Sequence, residues 1–376
     1  MSKSGFRPAI ATGTRADWGL LLPLARELRG RSVTPMIAAT HAHFFDELGN
    51  TYKEIENDGF EISCRIPTRR TPVEALADAA EGFGRFLREK RPSVLIILGD
   101  RFEMLGAASA ALLERVPIVH IAGGNVTKGA YDDAIRDSIS RMATLHLPET
   151  QNCAERLIRL GADPERVVNA GSAGVWSGLH ERLLSLPELE ESLGFGLGDD
   201  FFVATLHAAT LDSLPPIRRM EDFLEACSVN LSLNPGRKMI LTYPNSDSDP
   251  APLIAAIEGF ARRFPGRVLT IPSLGRIRYL SAAALATAVI GNSSSGIEEV
   301  PSLGTPTLDI GRRQDGRERG PGVLHVADSA DDIIAGLEDV ASEAARTLAA
   351  KRENPYYKDN TPGIQADAIC RMFELS

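Results

Sequence analysis

Residues 8–28 read PAIATGTRADWGLLLPLAREL, and three patterns follow one another within them. Pro8 to Thr12 is a short apolar run of strand length. Gly13-Thr14-Arg15-Ala16-Asp17 is a polar turn. Beyond it Leu20, Leu21, Leu24 and Leu28 form one apolar stripe at helical spacing, while Arg26, Glu27 and Arg29 face away. A strand, a glycine turn and an amphipathic helix are the repeating half of an α/β fold, and packing against a sheet accounts for the leucines without any functional role.

The same alternation continues outward. Val33 to Ala39, Val94 to Leu98 and Pro117 to Ile121 read as further strands separated by helical patterns, which implies a parallel sheet. A second series begins after about residue 180, with strands at Phe201 to Leu206, Lys238 to Thr242, Ala288 to Gly291 and Thr307 to Ile310. Between the two series, Gly171 to Gly198 is rich in Gly, Ser and Leu-Pro turns and holds the domain crossing in its first part. The expected organisation is an N-terminal Rossmann-like domain over residues 1–175 and a C-terminal, nucleotide-binding Rossmann-like domain over 176–355, with a helix within 356–376 packing back on the first. In doubly wound sheets ligands sit outside the carboxyl ends of the strands, so two such sheets facing each other place a ligand in the cleft between them.

The length of 376 residues exceeds what one hydrophobic core organises, which agrees with two domains. Apolar residues at 43% and charged residues at 24% are those of a globular protein, and no apolar stretch approaches the roughly 18 residues that cross a bilayer. The opening residues lack the features of a secretory signal, so the expected location is cytoplasmic. Cys64, Cys153, Cys227 and Cys370 stand far apart with no C-x-x-C pair, which argues against a zinc site and against a disulfide framework. A net charge of -9 without a basic run excludes nucleic acid and anionic membranes as partners. Arginine is placed instead in loops, at Arg15, Arg101, Arg136, Arg312, Arg313 and Arg317, where a small phosphorylated ligand can be gripped locally.

Five loops carry the candidate chemistry, each just after a strand. In Gly13 to Asp17, free N–H groups at a helix start and the Arg15 guanidinium suit a phosphate; alternatively Gly13 makes a tight turn and Asp17 caps the helix. In Gly99-Asp100-Arg101-Phe102-Glu103, the carboxylates and guanidinium at the end of an apolar strand serve either a polar ligand or each other. The third runs from His120 through Gly123-Gly124-Asn125 to Asp132 and Asp133 and on into a helix carrying Arg136, its aspartates being caps or acid/base groups. His207, and then Tyr243-Pro244-Asn245-Ser246-Asp247, follow strands of the second series and face the cleft from its side. The fifth, Gly291-Asn292-Ser293-Ser294-Ser295-Gly296, opens a helix bearing Glu298 and Glu299 and is followed by Gly311-Arg312-Arg313-Gln314-Asp315-Gly316-Arg317. Hydroxyls and N–H groups at a helix start suit a diphosphate, and a glutamate one turn further in accepts from both hydroxyls of a ribose.

Through GTRADWG, LGDRFEM, HIAGG, YPNSDSD, LGRIRYL, GNSSSGIEEVPSLGTP and IGRRQDGR, the chain resembles the hydrolysing UDP-N-acetylglucosamine 2-epimerases that make precursors of sialic and legionaminic acids. The resemblance spans nearly the whole length. It implies a GT-B-like fold, no metal or nicotinamide cofactor, a nucleotide-sugar substrate and a homodimer or homotetramer. Residue by residue, it implies that Arg15, Ser293, Ser294 and Arg313 hold the diphosphate, that Glu299 holds the ribose, and that His207 and Asn245 lie on the phosphate and sugar side. Asp100 and Asp132 match the catalytic carboxylates, and Asp17, Arg101, Glu103, Arg136 and Asp247 complete the expected substrate contacts.

The expected reaction is elimination of the nucleoside diphosphate across C1 and C2, then addition of water with inversion at C2, which needs a base and an acid at C2. The chain departs from the family pattern in the third loop. Family members read HIHGGE and IRHA, where this chain has Asn125 for the glutamate and Ala122 and Asp137 for the histidines. Asn125 occupies a catalytic position, yet an amide is neither an acid nor a base near neutral pH. Three readings stay open: epimerisation of another sugar, such as a UDP- or GDP-linked 2,4-diacetamido-trideoxyglucose, with Asp100, Asp132, Asp133 or Asp137 moving the protons; hydrolysis without epimerisation; or binding without turnover. The first is favoured. A GT-B glycosyltransferase needs an acceptor groove or a membrane-facing patch, and neither shows in the sequence. An oxidoreductase lacks support because no G-x-G-x-x-G follows the first strand.

Overall fold

Strands buried on both faces read as continuous apolar runs, and VLIIL at Val94–Leu98, with all five residues buried, is the plainest case. The structure is a computed structural model that describes residues 5–46, 49–126, 132–207, 215–244 and 251–373. Its strands are β1 (Pro8–Thr12), β2 (Met36–Thr40), β3 (Ile62–Ile66), β4 (Val94–Leu98), β5 (Ile118–Ile121), β6 (Leu145–Leu147), β7 (Phe201–Thr205), β8 (Lys238–Thr242), β9 (Val268–Ile271), β10 (Ala288–Gly291), β11 (Thr307–Ile310) and β12 (Val323–Val326). They form two parallel six-stranded sheets, ordered β3-β2-β1-β4-β5-β6 and β12-β11-β10-β7-β8-β9. Both are doubly wound α/β sheets. The order reverses once in each, between β1 and β4 and between β7 and β10, and the loops that leave these four strands flank the reversal points.

The described residues fall into two compact units, one within residues 5–125, 132–177 and 356–373 and the other of residue 126 and residues within 178–355. In the first, the helix Thr361–Phe373 packs on the helix Arg15–Gly30, and Ala366 and Ile369 join Leu21, Leu24 and Leu28 in one core. The returning chain is fastened by the buried Tyr356, whose carbonyl accepts from the Ser172 N–H at 2.8 Å, and by an Arg31–Asp367 ion pair. The second unit builds its main core from β7, β8, β10 and β11 against the helices Pro216–Leu233, Ala251–Arg263 and Ala330–Val340.

Eight of the twelve strands coincide with the runs read from sequence, with small shifts at their ends. β2 starts at Met36 rather than Val33, because the Val33 N–H is spent closing the preceding helix on the Leu28 carbonyl at 3.0 Å. β5 starts after Pro117, which has no N–H to give the ladder. The other four strands, β3, β6, β9 and β12, are the four edges of the two sheets.

The helices Pro72–Lys90 and Phe102–Leu113 pack so closely that a Cβ at Gly106 would lie 2.5 Å from the Leu76 carbonyl oxygen and 3.0 Å from the Ala80 nitrogen. Both obstacles are backbone, so Gly106→Ala is expected to cost about 1–3 kcal/mol by overpacking. The check is a lower denaturant midpoint of unfolding. An unchanged midpoint would mean that the two helices part freely.

Candidate functional site

In the first unit, the loop after β1 turns into the helix Arg15–Gly30, and its cap is Thr14, whose hydroxyl accepts from the Asp17 N–H at 3.1 Å. Asp17 is therefore not the cap; its carboxylate accepts from the Gly13 N–H at 3.3 Å. Glu103, on the helix that follows β4, is fully buried against the same loop. Its Oε1 accepts from Arg101 Nε, and its Oε2 is buried without a hydrogen-bond partner among the described residues. A Cβ at Gly13 would stand 2.4 Å from Glu103 Oε1, so this close approach requires the glycine. Burial pushes the Asp17 carboxyl up to about 6, and the neighbouring Glu103 adds to the rise while Arg101 opposes it. Arg15 is exposed and pairs with Glu54 at 3.1 Å.

Asp100 follows the Gly99 turn, whose φ of +73° suits glycine. The turn is held by His120 on β5: Nε2 donates to the Gly99 carbonyl at 2.8 Å, and the Ser140 hydroxyl donates to Nδ1 at 2.9 Å. Burial lowers the His120 imidazole to about 4, so it is neutral. Asp100 itself pairs with Arg136, which is 4% exposed and lies on the helix Asp132–Met142. The same guanidinium pairs with Asp133 at 2.8 Å and donates to the Asn125 carbonyl at 2.7 Å. Asp132 opens that helix and is half-buried, whereas the Asp137 carboxylate is taken up by a two-pronged pair with Arg156 at 2.7 and 2.8 Å. Asn125 is buried. Its Nδ2 donates to Glu149 Oε2 at 2.7 Å, and its Oδ1 accepts from Cys153 Sγ at 2.9 Å.

In the second unit, Gly291 at the end of β10 has a φ of +133°, and a Cβ there would collide with the Thr205 carbonyl at the end of β7. The contact brings Asn292 beside His207, and the two exchange hydrogen bonds: the His207 N–H to Asn292 Oδ1 at 2.7 Å, and Asn292 Nδ2 to the His207 carbonyl at 2.9 Å. The Asn292 carbonyl in turn accepts from Arg313 at 3.0 Å and Gln314 at 2.8 Å. A small pocket of about 20 Å³ is lined by His207, Asn292, Arg312 and Arg313 and by the Arg219–Asp328 ion pair. Ser294 precedes a single helical turn, Ser295–Glu298, and Ser293 lies just before it; a second turn, Val300–Leu303, carries Pro301. Glu299 is the half-buried junction between them, so the helix expected after the serine loop is two short ones. Arg317 pairs with Glu298, and the exposed Arg312 pairs with Asp315 at 3.3 Å. Asn245 and Asp247 lie outside the described residues.

The structure therefore gathers Asp17, Arg101 and Glu103 at one loop of the first unit, Asp100, Asn125 and Arg136 at the next, and His207 with Arg313 in the second unit through Asn292. Two participants escaped the sequence reading. Asn292 lay inside the quoted GNSSSG stretch without a role, and Glu149 follows β6, an edge strand too short to be read.

The model of the family described as UDP-N-acetylglucosamine 2-epimerase matches residues 26–369. The chain belongs to this family. A GDP/UDP-N,N'-diacetylbacillosamine 2-epimerase (hydrolyzing) of Campylobacter jejuni is 34% identical to this epimerase-family chain over 322 residues, covering 84% of it and 83% of the relative. A polysialic acid biosynthesis protein of Escherichia coli is 32% identical, covering 93% and 90%. Among solved structures, the UDP-GlcNAc 2-epimerase from Neisseria meningitidis bound to UDP-GlcNAc superposes with a TM-score of 0.77 at 17% identity, covering 97% of this chain and all of the other. The fold of this family member is thus GT-B-like, and the chain is an enzyme of the nucleotide-sugar 2-epimerase kind. No helix among its described residues is long and apolar enough to cross a membrane.

The raised Asp17 carboxyl makes a sign-definite prediction. Folding lifts it from 3.8 to about 6, so the folded state holds this proton more tightly. The stability it contributes is full below pH 3.8 and is lost as pH rises through about 6. The melting temperature of the wild type relative to Asp17→Asn should therefore fall across this window, by the equivalent of at most about 3 kcal/mol before solvent screening. A difference that stays flat with pH would refute the assignment.

Proposed function

We propose that this enzyme is a hydrolysing nucleotide-sugar 2-epimerase, acting on a UDP- or GDP-linked 2,4-diacetamido-2,4,6-trideoxyglucose or on UDP-N-acetylglucosamine, for nonulosonic acid synthesis. The observation that carries the reading is Glu103 Oε2, a buried carboxylate oxygen that lacks a donor among the described residues. Such an atom favours a ligand bearing an N–H or O–H, since leaving it unpaired costs about 1–3 kcal/mol. The surrounding side chains agree. Asp17, Asp100, Glu103 and Asp132 are acidic residues following β1, β4 and β5, which suits the hydroxyl and amide donors of a sugar and proton transfer at carbon, and suits phosphate poorly. The second unit supplies the opposite chemistry, with Ser293, Ser294 and Arg313 for the diphosphate and Glu299 for the ribose hydroxyls. By resemblance Arg15 adds positive charge to the diphosphate, Arg101 is a substrate contact, and His207 serves the phosphate side. Among the two sugars, identity to the diacetylbacillosamine relative favours the diacetamido one, while the C4 amide N–H of one and the C4 hydroxyl of the other are both donors of the required kind.

In the reaction so assigned, the C2–H electron pair becomes the C1=C2 π bond as the proton passes to a base, and the C1–O bond breaks with its electrons leaving on the diphosphate. Water then adds its oxygen to C1, and an acid on the opposite face protonates C2. The proton shed by water restores that acid, and one proton is released to solvent overall. Arg136 holds Asp100 in place for this work. By resemblance the assembly is a homodimer or homotetramer, and the location proposed for it is the cytoplasm.

Incubation in D₂O with each nucleotide sugar, followed by proton NMR, is expected to release a manno-configured sugar carrying deuterium at C2. Release with the original proton and configuration would mean simple hydrolysis, and no release would leave only binding. Glu103→Gln, which turns an acceptor edge into an amide, is expected to lower kcat/KM on the preferred sugar by roughly 10- to 100-fold, the range for losing a hydrogen bond to a charged group. An unchanged value would remove Glu103 from the sugar site.

A further inference from the structure

Glu149 lies two residues past the end of β6 and is 8% exposed. Among the described residues its carboxylate forms no ion pair with Lys, Arg or His. Its hydrogen-bond partner among them is an amide, Asn125 Nδ2, at 2.7 Å. A carboxylate withdrawn from water against a neutral group forfeits hydration that nothing repays in full, so its retention calls for a use. The guanidinium that binds the Asn125 backbone belongs to Arg136, which is already committed to Asp100 and Asp133.

The amide facing Glu149 is fixed from three directions. Cys153 donates to its Oδ1 at 2.9 Å, Arg136 holds its own carbonyl at 2.7 Å, and Gly124 before it has a φ of +85° with its Cα packed so tightly that a Cβ would lie 2.5 Å from the Cys153 carbonyl oxygen. With Oδ1 occupied by the thiol, the NH₂ group is the end of Asn125 turned to Glu149, and it can stabilise a carboxylate there but cannot itself move a proton. The parallel pairing of β5 with β6, with His120 opposite His146 and Ile121 opposite Leu147, brings the loops after these strands side by side, as β4 and β5 do for Asp100 and Asn125.

The geometry points to Glu149 as one of the two proton-transfer groups at C2 of the sugar, positioned by Asn125. This rests on the epimerase reading, in which C2 loses a proton on one face and gains one on the other. Glu149 supplies the carboxylate that position 125 lacks, displaced by one hydrogen bond onto the neighbouring strand's loop, while Asp100 or Asp132 serves the opposite face. The proton that Glu149 takes or gives is exchanged with water once per turnover, so the balance of the reaction is unchanged.

The test is steady-state kinetics and C2 deuterium incorporation on the full chain. Glu149→Gln keeps an oxygen that accepts from Asn125 and so preserves the packing. It is expected to lower kcat by about 100- to 10,000-fold, the usual worth of a general acid or base, with KM changed less than about threefold. Asn125→Glu combined with Glu149→Gln, which moves the carboxylate one hydrogen bond along, is expected to recover at least tenfold over Glu149→Gln alone. Asn125→Ala, which removes the donor to the carboxylate, is expected to shift the acidic limb of the kcat profile to higher pH. Wild-type kcat in Glu149→Gln would overturn the assignment and leave Glu149 a structural anchor. Should Glu149→Gln fail to fold, an acidic limb unmoved by Asn125→Ala overturns it equally. Wild-type enzyme that releases sugar without C2 deuterium would instead sink the epimerase reading, and the Glu149 assignment with it.

Discussion

The carboxyl end of the first sheet depends on one buried cation. Arg136 is almost wholly removed from water, and a guanidinium there is tolerable only where anions and carbonyls meet its several N–H groups. Asp100, Asp133 and the Asn125 carbonyl do so, and in meeting that demand they become fixed themselves. Two loops from neighbouring strands and the first turn of a helix are thereby tied to one side chain. His120 completes the arrangement from below as a neutral ring that holds the Gly99 turn, and its low affinity for protons keeps a second positive charge out of the same buried space.

The second unit reaches a comparable arrangement without a charge at its hub. Asn292 uses its side-chain amide to bind both backbone groups of His207 and its own carbonyl to receive Arg313 and Gln314. The close passage of Gly291 over the Thr205 carbonyl makes this possible, since any side chain at that position would force β7 and β10 apart at their ends. An amide hub adds no negative charge beside Arg313, which matters if an anionic group is to bind nearby.

What the sequence revealed and what it hid divide along a physical line. The inner strands are covered on both faces, so β1, β4, β8, β10 and β11 stand out as apolar runs with bounds that the structure repeats. Edge strands are under no such demand. β3 carries the exposed Arg65 and three half-buried residues, β12 carries the exposed His325, β9 is largely half-buried, and β6, though buried, is three residues long. Glu149 was hidden for the same reason, because a residue stands out at a strand end only if the strand is seen. Thr14 and Asp17 show another limit: both are good capping residues three positions apart, and only the geometry tells which of them accepts from the other's N–H. Polar partners such as Asn292 and Cys153 were illegible because their bonds join residues far apart in the chain.

The connectivity carries one further consequence. The first unit is built from the beginning and the end of the described chain, with the second unit inserted between, and the helix Thr361–Phe373 covers leucines of the helix Arg15–Gly30. On the ribosome the second unit can close as soon as its residues emerge, whereas the first must wait with the apolar stripe of its opening helix uncovered. Its leucines are synthesised well before the helix that shelters them, an interval in which a chaperone or a sister chain competes for them.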